Sequence, residues 1–155
     1  MNIPRKDWPS ALCALRASTV KEVLASLLPN FEVRDVALPQ AGLGLLCMRD
    51  SAFHESYFIG EMPVARSEVI LISASGEESR GGAVIVDDRA QFARSVAILD
   101  AVLAGKLTGC EQAADLVRRG IDVRQLTDIA RKKLLAATRV DFSLLGQEDE
   151  EDDEE

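Results

Sequence analysis

Gly60-Glu61-Met62-Pro63-Val64-Ala65-Arg66-Ser67-Glu68-Val69-Ile70-Leu71 is the stretch whose reading decides the fold. It opens on a glycine turn and passes into the strongest strand signal of the chain. Toward residues 69–72 both faces turn apolar, whereas a strand with one wet face alternates. Arg66 and Glu68 lie two residues apart and share a face. Their Cβ atoms are about 7 Å apart, too far for tight mutual pairing. Each is expected to pair across strands or across an interface.

Working outward, short β-rich segments lie on both sides of this stretch. Residues 33–38 form one, closed by Pro39, and residues 43–48 form a nearly continuous apolar run entered through Gly42 and Gly44. Residues 54–59 form a third, ending at Gly60. Residues 64–73 are the fourth, and 83–86 the fifth, after a turn at Ser75-Gly76-Glu77-Glu78. Strands in succession joined by short turns predict a mostly antiparallel meander. Helical periodicity appears at both ends. Trp8, Leu12 and Leu15 mark a first helix over 4–16, with Pro9 in its early turns. Thr19-Val20-Lys21-Glu22 has capping-box spacing and predicts a second helix that Pro29 and Asn30 end. Asp87 or Asp88 is placed to cap a long helix carrying Phe92, Val96, Leu99 and Leu103 on one stripe, with Ala93 and Ala97 allowing close approach to a sheet. A helix over 111–119, ended by Gly120, and another over 122–138 complete the pattern. The predicted class is α+β: about five mostly antiparallel strands packed with N-terminal and C-terminal helices. The apolar second and fourth strands require cover on both faces, from the chain's own helices or from another subunit.

Charge divides the 155-residue chain at its end. Residues 148–155 are all acidic; taking those eight from the total of 26 acids leaves 18 against 18 bases. The body is therefore neutral despite a net charge of −8, which argues against a basic nucleic-acid footprint. One domain over 1–146 and a disordered acidic tail over 147–155 are expected. No apolar run reaches the about 20 residues of a membrane span, and the N-terminus lacks the apolar region of a secretory signal, so a cytoplasmic location is expected.

Candidate chemistry is sparse. Cys13, Cys47 and Cys110 are scattered and the sole histidine is His54, so no zinc-type ligand spacing occurs and no metal is expected. Cys47 and His54 sit on neighbouring predicted strands without an orienting third group. Asp87 and Asp88 stand where helix caps stand, which accounts for them without a magnesium ion. Ser79-Arg80-Gly81-Gly82 enters a strand, and so lacks the helix dipole of a phosphate loop. No catalytic residue is assigned.

Three segments carry a family likeness: Gly60-Glu61 with Val64, Arg66 and Val69; Ala93-Arg94-Ser95-Val96-Ala97-Ile98-Leu99-Asp100-Ala101; and Ala137-Thr138-Arg139-Val140-Asp141-Phe142. With Arg5-x-x-Trp8 and the Gly42-Leu43 entry to a strand, their order and spacing resemble the PhnG family over about residues 5–146. That family belongs to the bacterial carbon–phosphorus lyase system of phosphonate catabolism. The chain departs from it at 48–55, where a glycine-rich loop is usual, and at Asp87-Asp88-Arg89, where Gly-Arg-Asp is usual. The resemblance implies a non-catalytic subunit assembled with PhnH-, PhnI- and PhnJ-like proteins and a PhnL-like ATPase. The assembly transfers an alkylphosphonate onto ATP ribose with release of adenine. ATP would be a substrate of that complex, with no cofactor held by this chain. Gly60, Glu61, Arg66, Asp100, Arg139, Asp141 and Phe142 are the family-matched positions assigned to structural or interface work. Alternatives are a standalone α+β binding or interaction domain, a divergent PhnG paralogue without the complex, and an enzyme using Cys47 with His54 or Arg66 with Glu68; in isolation the chain is open to homo-oligomers.

Overall fold

The computed structural model describes residues 3–138, and the predicted extended segment 140–145 and the acidic tail lie outside them. The chain divides into two units, residues 1–123 and 124–155. In the first unit a short 3-10 turn, Arg5–Asp7, leads into α1 (Trp8–Cys13) and α2 (Ala17–Leu27). Three strands follow, β1 (Phe31–Arg49), β2 (Ser56–Ser73) and β3 (Glu78–Ile85), then α3 (Ala90–Ala104). The last helix, α4 (Cys110–Ala137), begins in the first unit and ends in the second.

The sheet is an antiparallel meander in the order β1-β2-β3, so the α+β class and the antiparallel topology hold. The strand number is three, not five. The predicted first and second strands are one continuous β1, and the third and fourth are one β2. Neither Pro39 nor Gly60 breaks a strand, for a common reason. The β1–β2 register slips between Asp35 and Ala37, between Ala37 and Gln40, and between Leu46 and Cys47. Proline is tolerated on edge strands and at bulges, because no ladder donor is needed there. Pro39 lies within the second slip, on an edge strand. Gly60 pairs with Leu46 at the third, with open space where a Cβ would stand. The expected glycine turn at 60 is thus mid-strand.

The core lies between one sheet face and α3. Ala65, Val69 and Leu71 of β2 and Ala83 and Ile85 of β3 are buried on that face, giving β3 a strict alternation of exposed and buried residues. α3 is buried almost all round, from Phe92 and Ala93 through Leu103, as a helix enclosed between layers must be. Its small residues permit the close approach predicted for them. A Cβ on Gly81 would stand 2.2 Å from the Ala97 carbonyl oxygen and 2.4 Å from the Ala101 nitrogen. The opposite sheet face is open: Leu38, Val84 and Val86 are exposed. Cover on both faces, expected from the apolar strands, is supplied on one only.

The helices differ from expectation in their ends. α1 places Pro9 in its first turn, where a missing N–H costs nothing. α2 begins at Ala17, with Arg16 as N-cap and no side-chain cap, so Thr19 and Glu22 do not form the predicted box. α3 starts after Arg89 without a side-chain cap. Asp87 instead accepts the Arg89 backbone N–H at 2.8 Å and pairs with the Arg89 guanidinium. Gly120 does not end a helix. A Cβ there would stand 2.0 Å from the Ala11 carbonyl oxygen, so this glycine lets α1 and α4 touch, and the helix runs through it. The two predicted helices 111–119 and 122–138 are one.

Candidate interaction surface

Arg66 and Glu68 point to the open sheet face, and each finds a partner on a different strand. Arg66 Nε and Nη2 donate to Gln40 Oε1 at 2.9 and 2.6 Å, bracing β2 to β1. Arg80 Nε donates to Glu68 Oε1 at 2.5 Å, bracing β2 to β3. The guanidinium of Arg80, like that of Arg5, is held above its ordinary pKa chiefly by the hydrogen bond to its carboxylate. Cross-strand pairing is thus how the sheet uses both charges. Leu38 and Val84, together with Arg66 and Glu68, line a groove on this face.

Asp100 is the one buried charge of α3. Its Oδ1 accepts Arg5 Nε at 2.9 Å, and its Oδ2 accepts Arg5 Nη2 at 2.6 Å and the Gly82 backbone N–H at 3.0 Å. Arg5 Nη2 also donates to the Arg80 carbonyl at 3.2 Å. The main-chain groups of Arg80 and Gly82 used here are those turned away from β2. The pair therefore blocks the outer edge of β3 at Arg80 and Gly82 with a planar two-point ion pair.

The ribbon beyond the β1 bulges has a different character. Two extra residues of β1 between Asp35 and Gln40 bend it, and an ion pair from Arg94 of α3 to Asp35, 2.7 Å, holds its base. Past this bend no residue of 41–61 is buried. Leu43 (69%), Leu45 (61%) and Met48 (45%) of β1, and Tyr57 (48%), Phe58 (63%) and Ile59 (54%) of β2, are exposed. The tip is closed by Asp50, whose carboxylate accepts the N–H groups of Ala52 and Phe53 at 3.1 and 2.6 Å, while its own N–H reaches the Glu55 carbonyl at 2.8 Å. His54 takes the left-handed conformation, φ 57°, in that loop. Cys47 is exposed, its Sγ within 3.9 Å of the Met48 carbonyl, and no hydrogen bond joins it to His54.

In the second unit, residues 124–137 are helical and exposed throughout. Leu126, Ala130, Leu134 and Ala137 fall on one stripe flanked by Ile129, with Leu126 and Leu134 exposed at 69% and 68%.

A family model described as phosphonate metabolism protein PhnG matches residues 3–146. The chain belongs to the PhnG family. No curated protein matches it in a sequence comparison.

Of the family-matched positions, Gly60 and Glu61 lie on the exposed ribbon, Arg66 at its base, and Asp100 in the core. Arg139, Asp141 and Phe142 lie within the matched span and outside the described residues. The structure brings together Arg5 of the Arg5-x-x-Trp8 segment and Asp100 of the Ala93–Ala101 segment, a meeting the sequence reading missed. Its signal was present: an acid inside an eight-residue run of otherwise apolar side chains, 96–103, needs a partner, because burying an unpaired charge is costly. Among the described residues, no three His, Cys, Asp or Glu side chains converge. No helix among them is long and apolar enough to cross a membrane.

Proposed function

We propose that this chain is an accessory, non-catalytic subunit of a carbon–phosphorus lyase core complex. It supports transfer of an alkylphosphonate onto ATP ribose, with adenine leaving, by shaping a catalytic partner. The family ties the chain to phosphonate metabolism. The observation that carries the subunit role is the uncovered ribbon. Six large apolar side chains, each exposed by 45–69%, offer on the order of 600 Å² of apolar surface, at the top of what a monomer shows and close to the about 800 Å² per partner of a stable interface. The apolar stripe on helix residues 124–137 adds a second docking face. PhnH-, PhnI- and PhnJ-like subunits, with a PhnL-like ATPase, are the proposed partners.

The test is co-expression with the PhnH-, PhnI- and PhnJ-like proteins of the same source, followed by capture through a tag on this chain. All three are expected to co-purify, and Phe58→Asp is expected to reduce their recovery at least tenfold without unfolding the chain. A chain that purifies alone in the presence of all three overturns the proposal.

A further inference from the structure

The two edges of the sheet are treated differently. Opposite β1 the edge beyond Ala65 is β2 56–64, interrupted by the Ile59 bulge, Glu61 and Pro63, and beside β3 it is blocked at Arg80 and Gly82 by Arg5 and Asp100. The β1 edge beyond the bend is not: apart from its ladder to β2, no hydrogen bond engages the main chain of residues 40–46. Nor does the sequence defend this edge. From Gln40 to Met48 run nine residues without a charge or a proline, whereas exposed edges are ordinarily guarded by lysine, proline or a bulge. The bulges that would guard it lie before Gln40; the third slip places its extra residue, Ile59, on β2 and leaves β1 regular.

From this we propose that a second copy of this chain pairs with β1 along residues 40–48, antiparallel about a two-fold axis at Gly44, joining two ribbons into a four-stranded sheet. The segment 40–48, free of charge and proline and bounded by Pro39 and Arg49, is centred on Gly44. In this register Leu43 faces Leu45 of the other copy, Ala41 faces Cys47, and Gln40 faces Met48. No like charges oppose, and each contact occurs twice, as a closed two-fold interface requires. The seam is about 30 Å long. With Leu43, Leu45, Leu46 and Met48 alongside, it buries on the order of several hundred Å² per copy, enough for a concentration-dependent dimer. Pairing by main-chain hydrogen bonds at the β1 edge leaves Tyr57, Phe58 and Ile59 of β2 to the heteromeric role.

Sedimentation equilibrium of the full chain at about 100 µM tests it, since protomer concentration governs such a dimer. A species of twice the 16.8 kDa chain mass is expected. The double variant Leu43→Lys/Leu45→Lys, which sets like charges opposite each other across the seam, is expected to sediment as monomer. Leu126→Lys/Leu134→Lys, on the helix, is expected to remain dimeric. Ala41→Cys is expected to form, on mild oxidation, a disulfide-linked dimer with Cys47 that the wild type does not form. A monomeric wild type, or a dimer that survives the ribbon lysines, overturns the proposal. A dimer lost with the ribbon lysines but not crosslinked through position 41 overturns the Gly44 register. The Ala41–Cys47 crosslink is read on this chain alone, without PhnH-, PhnI- or PhnJ-like proteins, so its outcome is separate from that of the heteromeric capture.

Discussion

Replacing Asp100 by alanine tests whether this acid holds the fold together or merely occupies space. The carboxylate is 4% exposed and receives three donors, two from Arg5 and one from the Gly82 main chain. Hydrogen bonds to a charged group contribute about 1.5–3 kcal/mol net. The Arg5 guanidinium is 55% exposed, so water recovers much of what it loses when the acid is removed. The Gly82 N–H, partly buried beneath the edge, recovers less, and a stranded donor costs about 1–3 kcal/mol. The expected loss for Asp100→Ala is about 3 kcal/mol, a large share of the about 5–15 kcal/mol that stabilises a domain. Asp100→Asn keeps the volume and an oxygen for Gly82, and is expected to cost about 1 kcal/mol. Urea denaturation followed by circular dichroism measures both, and Arg5→Ala with the double variant closes the cycle. An Asp100→Ala protein within about 0.5 kcal/mol of wild type, or a coupling energy to Arg5 below that value, refutes the role assigned to the pair.

Gly81→Ala forces a methyl into the Ala97 and Ala101 backbone of α3; overpacking of this kind is expected to cost about 3 kcal/mol in the same denaturation assay, while Gly42→Ala, with open space at its Cβ, is expected to change stability by less than about 0.5 kcal/mol. Gly120→Ala meets the Ala11 carbonyl and is expected to lower the thermal midpoint by several degrees, read by calorimetry. Asp87 is held at a pKa of about 2 by its hydrogen bond to the Arg89 side chain, below the about 3.9 of an unfolded chain. Its contribution to stability is therefore full above about pH 4 and lost as the pH falls through about 2, and Asp87→Asn is expected to flatten the stability profile in that window. Leu126→Asp with Leu134→Asp is expected to leave the denaturation midpoint of the chain unchanged, because both side chains already face water, and to weaken capture of the proposed partners at least tenfold.

Much of the layout was legible because it rests on local periodicity. The order of strands, the stripe of α3 and its small residues, and the cross-strand use of Arg66 and Glu68 all follow from spacing alone. The errors share a cause: punctuation residues act through tertiary context. Pro39 stops a central strand but is harmless at an edge bulge, and nothing local states that β1 is an edge. Gly120 reads as a helix stop, yet its missing Cβ serves contact with Ala11, more than one hundred residues earlier in the chain. Thr19 has cap spacing, but the chain enters α2 two residues sooner, and Asp87 spends its carboxylate on Arg89. The pairing of Arg5 with Asp100 spans 95 positions, beyond any window a periodicity argument uses. The unprotected ribbon was foreshadowed by strands apolar on both faces; which face stays open depends on where the bulges turn the ribbon away from α3.

The seal over β3 also sets a stopping rule. A three-stranded sheet with two bare edges can take a neighbour on each side, and its copies can extend without limit into a fibre. Beside β3 the edge opposite β1 carries Arg5 and Asp100, and beyond Ala65, where β3 ends, it is β2 itself, interrupted by the Ile59 bulge, Glu61 and Pro63, so addition at β1 terminates after one step. The same ion pair that fastens the N-terminal segment thus blocks growth beside β3, and a variant lacking it is expected to form assemblies larger than the dimer.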